Sequence, residues 1–249
     1  MIDPSAIRLV ESVPQPASGQ PLQQAVLGSG HYLAEEFRFL AAKVAGLASE
    51  RFTTIGVVST GPSEGKTTVA LGLTAALSRS SEQRALLLEA DLRQPSVERY
   101  LGLPRLGGVA EFLAGRSTSL PVRTVSPPGF AVLAAGRERL VRPELLGSDR
   151  MAALIGAAQL SYGYVVVDCP PLDPVADAVA LQDLLDGFLL VIRARRSPRE
   201  AIERAVGRLK ENRIRGIVFN DQPEVLPVGY AYGYGYRDER ERYLDGSET

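Results

Sequence analysis

The sequence predicts an α/β protein built on a doubly wound, mostly parallel sheet with helices on both faces. Three observations lead to this fold class. Strand-length apolar runs alternate with helix-length segments along most of the 249 residues. The runs are apolar throughout, as expected for strands of a parallel sheet that is covered on both sides. A Gly-Lys-Thr-Thr sequence also stands where a predicted strand passes into a predicted helix.

The first predicted helix covers residues 31–49, because Leu33, Phe37, Leu40 and Val44 fall on one helical face. Two short extended pieces are predicted at 122–125 and 130–134, and their pattern fits either a hairpin or an extra sheet edge. The strands of the main sheet are predicted at 54–59, 85–90, 164–168, 188–192 and 216–220, and the intervening helices at 66–79, 143–160, 177–186 and 199–212.

Composition narrows the class of protein. Hydrophobic residues make up 45% and charged residues 23% of the chain, and 28 basic against 29 acidic residues leave a net charge of −1. This balance gives no reason to expect nucleic-acid binding. A single cysteine, Cys169, and the absence of a secretory signal predict a reducing cytoplasm. The longest apolar runs fall far below the roughly 20 residues of a membrane-spanning helix, so we expect membrane association only through a partner.

The strongest motif is the loop Ser-Thr-Gly-Pro-Ser-Glu-Gly-Lys-Thr-Thr at residues 59–68, which follows the strand predicted at 54–59 and opens a helix. In such a loop, backbone N–H groups surround a phosphate, Lys66 reaches the β- and γ-phosphates, and the Thr67 hydroxyl ligates Mg²⁺. The strict G-x-x-x-x-G-K-[ST] pattern is not met, because residue 60 is Thr. A loop that merely turns the chain would explain the glycines but not Gly-Lys-Thr-Thr at this junction. The predicted ATP-binding residues of this P-loop are Gly61, Pro62, Ser63, Glu64, Gly65, Lys66, Thr67 and Thr68.

Acidic residues follow two further predicted strands. Glu89 and Asp91 end one strand and project to the same side, which suits shared work on Mg²⁺ and a hydroxyl proton. A solvated strand end that neutralises Arg93 is the alternative interpretation. Asp168 ends a second apolar strand, and Mg²⁺ prefers one or two carboxylates together with phosphate oxygens. Since ligands of doubly wound sheets bind beyond the carboxyl ends of the strands, these acids are predicted beside the P-loop.

With these motifs the sequence resembles the bacterial tyrosine kinases of capsule and exopolysaccharide synthesis, which are relatives of the MinD and ParA ATPases in the P-loop superfamily. The resemblance covers roughly residues 31–223. It extends to the blocks at 94–103, 108–115 and 143–151, which separate the chain from the partition ATPases. The absence of a lysine at position 61, where MinD and ParA relatives carry one, also favours the kinases.

The resemblance implies a role for each site residue. Lys66, Glu89 and Asp91 form the implied catalytic set, in which Glu89 stands in the place of an aspartate that activates the tyrosine hydroxyl. Thr67, Asp91 and Asp168 are the implied Mg²⁺ ligands. Arg93 and Asn220 are expected to contact the nucleotide, with an ordinary turn residue as the alternative for Asn220.

Three positions depart from the family pattern. Glu89 is one methylene longer than the expected aspartate, which predicts slower transfer, because a displacement of about 1 Å can cost on the order of a hundredfold in rate. Ser63 replaces a glycine and predicts either a strained loop backbone or a different path of the loop. Ala41 replaces the last arginine of an E-x-x-R-x-x-R segment that joins subunits into rings. Glu35 and Arg38 fit that segment, and they either form an interface or an ordinary solvated helix face.

The C-terminal segment holds five of the nine tyrosines, spaced by glycine and followed by alternating charges. Too little aliphatic mass is present for a packed core, so exposure or disorder is expected. A flexible linker or an adhesive segment would also suit this composition. As a kinase substrate, the segment would supply the phosphoacceptors Tyr230, Tyr232, Tyr234, Tyr236 and Tyr243.

Together these features predict a flexible or loosely docked arm at 1–30, an ATP-binding kinase domain at 31–225 and a tyrosine-rich tail at 226–249. The predicted function is an ATP- and Mg²⁺-dependent tyrosine autokinase that regulates polysaccharide synthesis and export. The alternatives are a catalytically weak nucleotide-dependent switch or scaffold, and a MinD- or ParA-like ATPase. Predicted partners are a membrane-bound polysaccharide co-polymerase that acts as activator, further copies of the chain as a dimer or ring, and a cognate tyrosine phosphatase. The predicted location is the cytoplasm, peripheral to the inner membrane.

Overall fold

The structure is a computed structural model that describes residues 3–4, 7–11, 32–47, 53–80, 84–126, 129–138 and 143–221. The predicted phosphoacceptor tyrosines and most of the predicted N-terminal arm lie outside these residues. Every statement on the fold below refers to the described part.

Eight strands and six α-helices form the described part of the chain. The strands are β1 (Arg8–Glu11), β2 (Thr54–Ser59), β3 (Ala85–Glu89), β4 (Ser119–Val125), β5 (Phe130–Leu133), β6 (Tyr164–Asp168), β7 (Gly187–Arg193) and β8 (Ile214–Asn220). The helices are α1 (Tyr32–Gly46), α2 (Lys66–Ser80), α3 (Val97–Leu101), α4 (Val109–Leu113), α5 (Asp149–Ser161) and α6 (Arg199–Val206). Two 3₁₀ turns lie at Pro143–Gly147 and Asp177–Leu181.

The strands pair in the order β1-β4-β5-β3-β6-β2-β7-β8. All neighbouring strands are parallel except β4 and β5, which form an antiparallel pair. The doubly wound, mostly parallel sheet predicted from the sequence is thus confirmed. The segment predicted as a hairpin or an extra sheet edge is both, because β4 and β5 form an antiparallel hairpin that extends the sheet beside β3. β4 begins earlier than predicted, at Ser119.

β1 was not predicted as a strand. Residues 8–11 lie within the predicted flexible or loosely docked arm, where they form a strand that pairs in parallel with β4. Ile7 and Leu9 also pack against the hydrophobic core. Four residues are too few to show a clear strand pattern in the sequence. Their partner strand also lies more than a hundred residues away in the chain, so no local signal marks the pairing.

Apolar side chains point alternately to the two faces of the sheet, where they form two separate cores. In β3, Leu87 belongs to one core, whereas Leu86 and Leu88 belong to the other. This alternation follows from the two-residue repeat of a strand. Helices α1, α2 and α3 cover the first core with Phe37, Leu73 and Leu101, and helices α4, α5 and α6 cover the second with Phe112, Leu154 and Ala205.

Three predicted helices differ from the observed elements. The segment 143–160 splits into a 3₁₀ turn and α5, which begins at a Ser148 cap whose hydroxyl accepts the Met151 N–H at 3.4 Å. The segment 177–186 contains only a 3₁₀ turn, continued by bonds between residues three apart. α6 ends at Val206, and Asn212 beyond it adopts a left-handed φ of 61° that ends any helical path.

No helix in the described part of the chain combines the length and the apolar character needed to cross a bilayer.

Candidate nucleotide-binding site

Six parallel strands end at one edge of the sheet, and the candidate site lies at that edge. The strands that run in the same direction, so that their following segments meet at this edge, are β2, β3, β5, β6, β7 and β8. The P-loop, residues 60–65, connects β2 to the first turn of α2. Nucleotides bind at this edge in doubly wound sheets.

Glu64 holds the P-loop through its buried carboxylate. The Thr60 N–H donates to Glu64 Oε2 at 2.9 Å, and the Thr60 hydroxyl donates to Oε1. The Ser197 hydroxyl, which follows β7, also donates to Oε1 at 2.6 Å. The side chain of this predicted nucleotide-binding residue therefore stabilises the loop and ties it to the segment after β7.

Gly65 and Asn220 meet at the end of the loop. The φ of Gly65 is +93°, and a Cβ at this position would lie 2.0 Å from Asn220 Nδ2. That nitrogen donates to the Glu64 carbonyl at 2.8 Å, so Asn220 joins β8 to the P-loop. Ser63 has a φ of 61°, which is the strained backbone predicted for a residue in place of glycine. Its carbonyl accepts a hydrogen bond from Arg193 Nη1 at 3.4 Å.

Lys66 forms an ion pair with Asp91, with 2.7 Å between Nζ and Oδ2. Burial by itself would lower the pKa of Lys66, but the nearby carboxylates of Asp168 and Asp91 raise it above its ordinary value. The ammonium group is therefore charged and lies between two acids. A cation in this position can neutralise phosphate oxygens.

Thr67 joins α2 to the end of β6. Its hydroxyl donates to Asp168 Oδ2 at 2.7 Å and accepts a hydrogen bond from the Ser96 hydroxyl at 3.2 Å. The other carboxylate oxygen of Asp168, Oδ1, is buried without a hydrogen-bond partner among the described residues. Burial raises the pKa of Asp168 to about 7, although the charge of Lys66 opposes the shift.

The residues around Asp168 fit a magnesium ion. A buried carboxylate oxygen without a partner is costly and calls for a cation or donor. Within the described residues no group of three or more His, Cys, Asp or Glu side chains could hold a metal ion by itself. Mg²⁺ does not require such a group, because it takes one or two carboxylates and completes its shell with water and phosphate oxygens. Thr67, Asp168 and the neighbouring Asp91 form a donor set of that kind.

The Glu89 carboxylate is bonded to backbone N–H groups. One carboxylate oxygen, Oε1, accepts the N–H groups of Ser96 at 2.5 Å and Val97 at 2.8 Å. The other, Oε2, accepts the Ala135 N–H at 3.0 Å. Burial raises the pKa of Glu89, and these three donors work against the rise. Both oxygens are thus bonded to the backbone.

Arg93 forms a bidentate ion pair with Asp177. Its Nε lies 2.5 Å from Oδ2 and its Nη2 lies 3.2 Å from Oδ1 of the buried aspartate. This pairing raises the pKa of the guanidinium. Arg93, which the sequence assigns to the nucleotide, is held here by a residue of the 3₁₀ turn at Asp177–Leu181.

Asp177, Ser197 and Ser96 are the members of this site that sequence reasoning missed. Asp177 and Ser197 follow β6 and β7, so position after a parallel strand was the signal that could have found them. Ser96 lies in a block already linked to the family, but its contact with Thr67 joins residues 29 apart.

Cys169 follows Asp168 and is fully buried. Its thiol donates to the Val167 carbonyl at 3.4 Å. Burial, together with the adjacent Asp168 carboxylate, raises its pKa well above the ordinary value. The thiol is therefore protonated and packs as a small apolar group.

The parallel sheet, the strand-to-helix loop that ends in Lys66 and Thr67, and the acids at the ends of β3 and β6 define a P-loop nucleotide-binding protein.

Comparisons with known proteins give the family. EpsB of Ralstonia solanacearum, which is assigned as a tyrosine-protein kinase, is 36% identical over 198 residues, which are 78% of this chain and 26% of EpsB. The succinoglycan biosynthesis transport protein ExoP of Rhizobium meliloti is 34% identical over 180 residues, which are 70% of this chain and 23% of ExoP. The kinase domain of the Escherichia coli tyrosine kinase Etk superposes with a TM-score of 0.74 at 25% identity, covering 92% of this chain and 96% of that domain. The chain matches no protein-family model.

The resemblance to bacterial tyrosine kinases is therefore confirmed: the chain has homologues named as such and shares the fold of their kinase domain. It spans about a quarter of the length of EpsB and ExoP.

Proposed function

We propose that this chain is an ATP-dependent protein tyrosine kinase that phosphorylates its own tyrosine-rich C-terminal segment and thereby regulates exopolysaccharide or capsule synthesis and export. The observation that carries the proposal is the cluster of Lys66, Thr67, Asp91 and Asp168 beside the P-loop, in which Asp168 Oδ1 is buried without a partner. The names and folds of the relatives support the tyrosine as acceptor.

The residues of the site divide the work of phosphoryl transfer. N–H groups of the P-loop and the Lys66 ammonium bind and orient the triphosphate, which requires Lys66 to exchange its contact with Asp91 for phosphate oxygens. Thr67, Asp91 and Asp168 would hold Mg²⁺, which neutralises charge on the phosphates when it is bound. The incoming tyrosine hydroxyl loses its proton to a neighbouring carboxylate or to water. Since such transfer depends mainly on positioning and charge, this set of residues is sufficient.

The expected partners follow from the relatives. ExoP is named as a transport protein of polysaccharide biosynthesis, which supports a membrane-bound co-polymerase as activator. We extend the proposal to self-association, to a cognate tyrosine phosphatase and to a cytoplasmic position at the inner membrane.

A second candidate is a nucleotide-dependent switch or scaffold of the same machinery. It is favoured by Glu89, because both of its oxygens are bonded to backbone N–H groups and the expected base is occupied. A switch would bind the nucleotide without labelling the protein.

Mass spectrometry of the purified chain separates the two candidates. The protein is incubated with Mg²⁺, ATP and activator, and the experiment asks whether Tyr230, Tyr232, Tyr234, Tyr236 and Tyr243 carry phosphate. Phosphate on these residues, lost in Lys66→Met, supports the kinase. Nucleotide binding without any phosphotyrosine would contradict the kinase and favour the switch. Steady phosphate release without protein labelling would instead favour a MinD- or ParA-like ATPase.

A further inference from the structure

We infer that Glu89 is a positioning residue, which holds the start of α3 and the segment after β5 around the phosphate site, and that it is not the group that accepts the tyrosine proton. The part of this inference that concerns tyrosine rests on the proposed function. The positioning role itself concerns only the nucleotide and Mg²⁺.

The contacts of Glu89 are those of a structural carboxylate. The side chain extends from the end of β3 and is 1% exposed. Its two oxygens accept three backbone N–H groups, from Ser96, Val97 and Ala135. A proton acceptor needs an oxygen within hydrogen-bond reach of the incoming hydroxyl. Here the acceptor capacity of Glu89 is directed at the protein backbone instead.

The start of α3, which Glu89 holds, lies next to the proposed metal ligands. Ser96, whose N–H donates to Glu89, also donates its hydroxyl to Thr67 Oγ1 at 3.2 Å. Thr67 in turn donates to Asp168 at 2.7 Å. Glu89 is therefore connected through Ser96 to the two residues that would bind Mg²⁺ at the ends of α2 and β6.

The length of the side chain matters for this role. Glu89 reaches the first residues of α3 with one oxygen and Ala135 with the other, so it bridges two segments that are separated in the chain. An aspartate is shorter by one methylene and would lose at least one of these bonds. The glutamate that departs from the family pattern thus fits the positioning role better than the expected aspartate does.

The test compares Glu89→Gln, Glu89→Asp and Ser96→Ala with the unchanged chain. Binding of a non-hydrolysable ATP analogue with Mg²⁺ is measured without any tyrosine substrate, together with the thermal midpoint Tm. A positioning role predicts at least fivefold weaker binding and a lower Tm for Glu89→Gln and for Glu89→Asp. Ser96→Ala keeps the N–H group and is expected to raise the Mg²⁺ concentration required for half-maximal binding, with a smaller change in Tm. Glu203→Gln, at an exposed glutamate of α6, is the matched control and should leave both quantities unchanged.

If Glu89 were instead the proton acceptor, the same measurements would give a different result. A proton acceptor acts only on the tyrosine, so analogue affinity and Tm would be unchanged in both Glu89 variants, while Glu89→Asp would transfer phosphate to the tail faster than the unchanged chain. That outcome overturns the inference. If Glu89→Gln does not fold, Glu89→Asp decides alone. If the unchanged chain transfers no phosphate, the kinase proposal fails while the binding measurement still tests the role of Glu89.

Discussion

Gly65 and Gly129 have the same φ of +93° but different surroundings. A Cβ at Gly65 would lie 2.0 Å from Asn220 Nδ2, whereas a Cβ at Gly129 would have no atom of the described residues within 4 Å. Gly129→Ala should therefore cost only the left-handed backbone strain, about 1–2 kcal/mol in the free energy of unfolding. Gly65→Ala should cost more and also weaken nucleotide binding, because Asn220 must move away from the loop. Denaturant unfolding of both variants checks this difference.

Asn220 provides the control for that comparison. In an Asn220→Ala background the overlap disappears, so Gly65→Ala should then cost about as much as Gly129→Ala. Equal costs of the two glycine substitutions in the unchanged chain would show that the contact between Gly65 and Asn220 does not constrain the loop.

Glu111 is expected to make stability depend on pH. Burial alone would raise the pKa of Glu111, but N–H groups of Gly108, Arg137 and Glu138 donate to its carboxylate and lower the pKa below the ordinary value. A carboxyl whose folded pKa is lowered stabilises the protein above its unfolded pKa, near 4.5, and loses this contribution as the pH falls through the folded pKa. Glu111→Gln should therefore cost about 1–2 kcal/mol at pH 7, and the difference from the unchanged chain should shrink below about pH 4.

Unfolding curves in urea at several pH values provide the measurement. Glu203→Gln is again the control, since within the described part of the chain Glu203 pairs with the exposed Arg199 alone. A cost of Glu111→Gln that is the same at pH 7 and at pH 3.5 would contradict the assignment.

At the level of single residues, the sequence predicted the cluster but not what holds it. Lys66, Thr67, Asp91 and Asp168 could be found because a local motif and the ends of apolar strands mark them. The contact between Ser197 and Glu64 joins residues 133 apart, and no local pattern encodes it. The engagement of Glu89 by Ala135 was out of reach for the same reason.

Among the elements, β4 and α3 are joined by a buried ion pair. Arg123 of β4 donates through Nη2 to Glu98 Oε1 of α3 at 2.7 Å, and the side chains are 2% and 8% exposed. Without Arg123 the buried Glu98 carboxylate keeps only weaker partners among the described residues, the half-exposed Arg105 at 3.5 Å and the Leu106 N–H at 3.2 Å. Arg123→Met should therefore cost about 3 kcal/mol in the free energy of unfolding. Arg199→Ala, which breaks an exposed pair of α6, should cost less than about 1 kcal/mol.

A double-mutant cycle tests the pair. Arg123→Met combined with Glu98→Gln should recover part of the loss, because the second change removes the buried charge that has lost its main partner. Strictly additive costs in the cycle would mean that the two side chains do not stabilise each other.

α1 explains one departure from the family pattern. Glu35 and Arg38 form the predicted pair, with 2.5 Å between Oε1 and Nη2 and both side chains partly exposed. Ala41, where the family segment ends in arginine, is fully buried in the core that α1 and α2 share. An arginine at this position could not be accommodated without moving the helix. Packing against α2 thus accounts for the alanine. Self-association through α1, as a dimer or a ring, stays a prediction.

Element types could be predicted better than element lengths. The main strands were found because an apolar run of five or six residues is too short for a typical helix and too apolar for an exposed loop. Helix ends depended on tertiary contacts: Asp177, in the segment predicted as helix, is paired with Arg93. β1 was missed because its pairing with β4 is its main support.

For the whole molecule, we expect the nucleotide to stabilise the fold, because the candidate site is built from the ends of several strands and exists only in the folded chain. A ligand that binds only the folded state at 100 times its Kd adds about 2.7 kcal/mol. For a domain of this size that corresponds to a rise in Tm of roughly 5–10 °C. Mg²⁺ with ATP should give this rise, and a chelator should reduce it. Lys66→Met should abolish it, as judged by differential scanning fluorimetry.

A second result would speak against the site itself. If ATP raises Tm equally in Lys66→Met and in the unchanged chain, the nucleotide binds elsewhere. The topology makes this test meaningful, because the P-loop contacts the segments after β7 and β8 as well as its own strand and helix.

Cys169 offers a practical advantage for all of these measurements. As the chain has one cysteine and its thiol is enclosed by the core, alkylating reagents should modify the protein only when it opens. The rate of modification then reports how often the molecule unfolds, without an added label. A second cysteine introduced at an exposed position could carry a fluorophore or spin label while the native thiol stays unmodified.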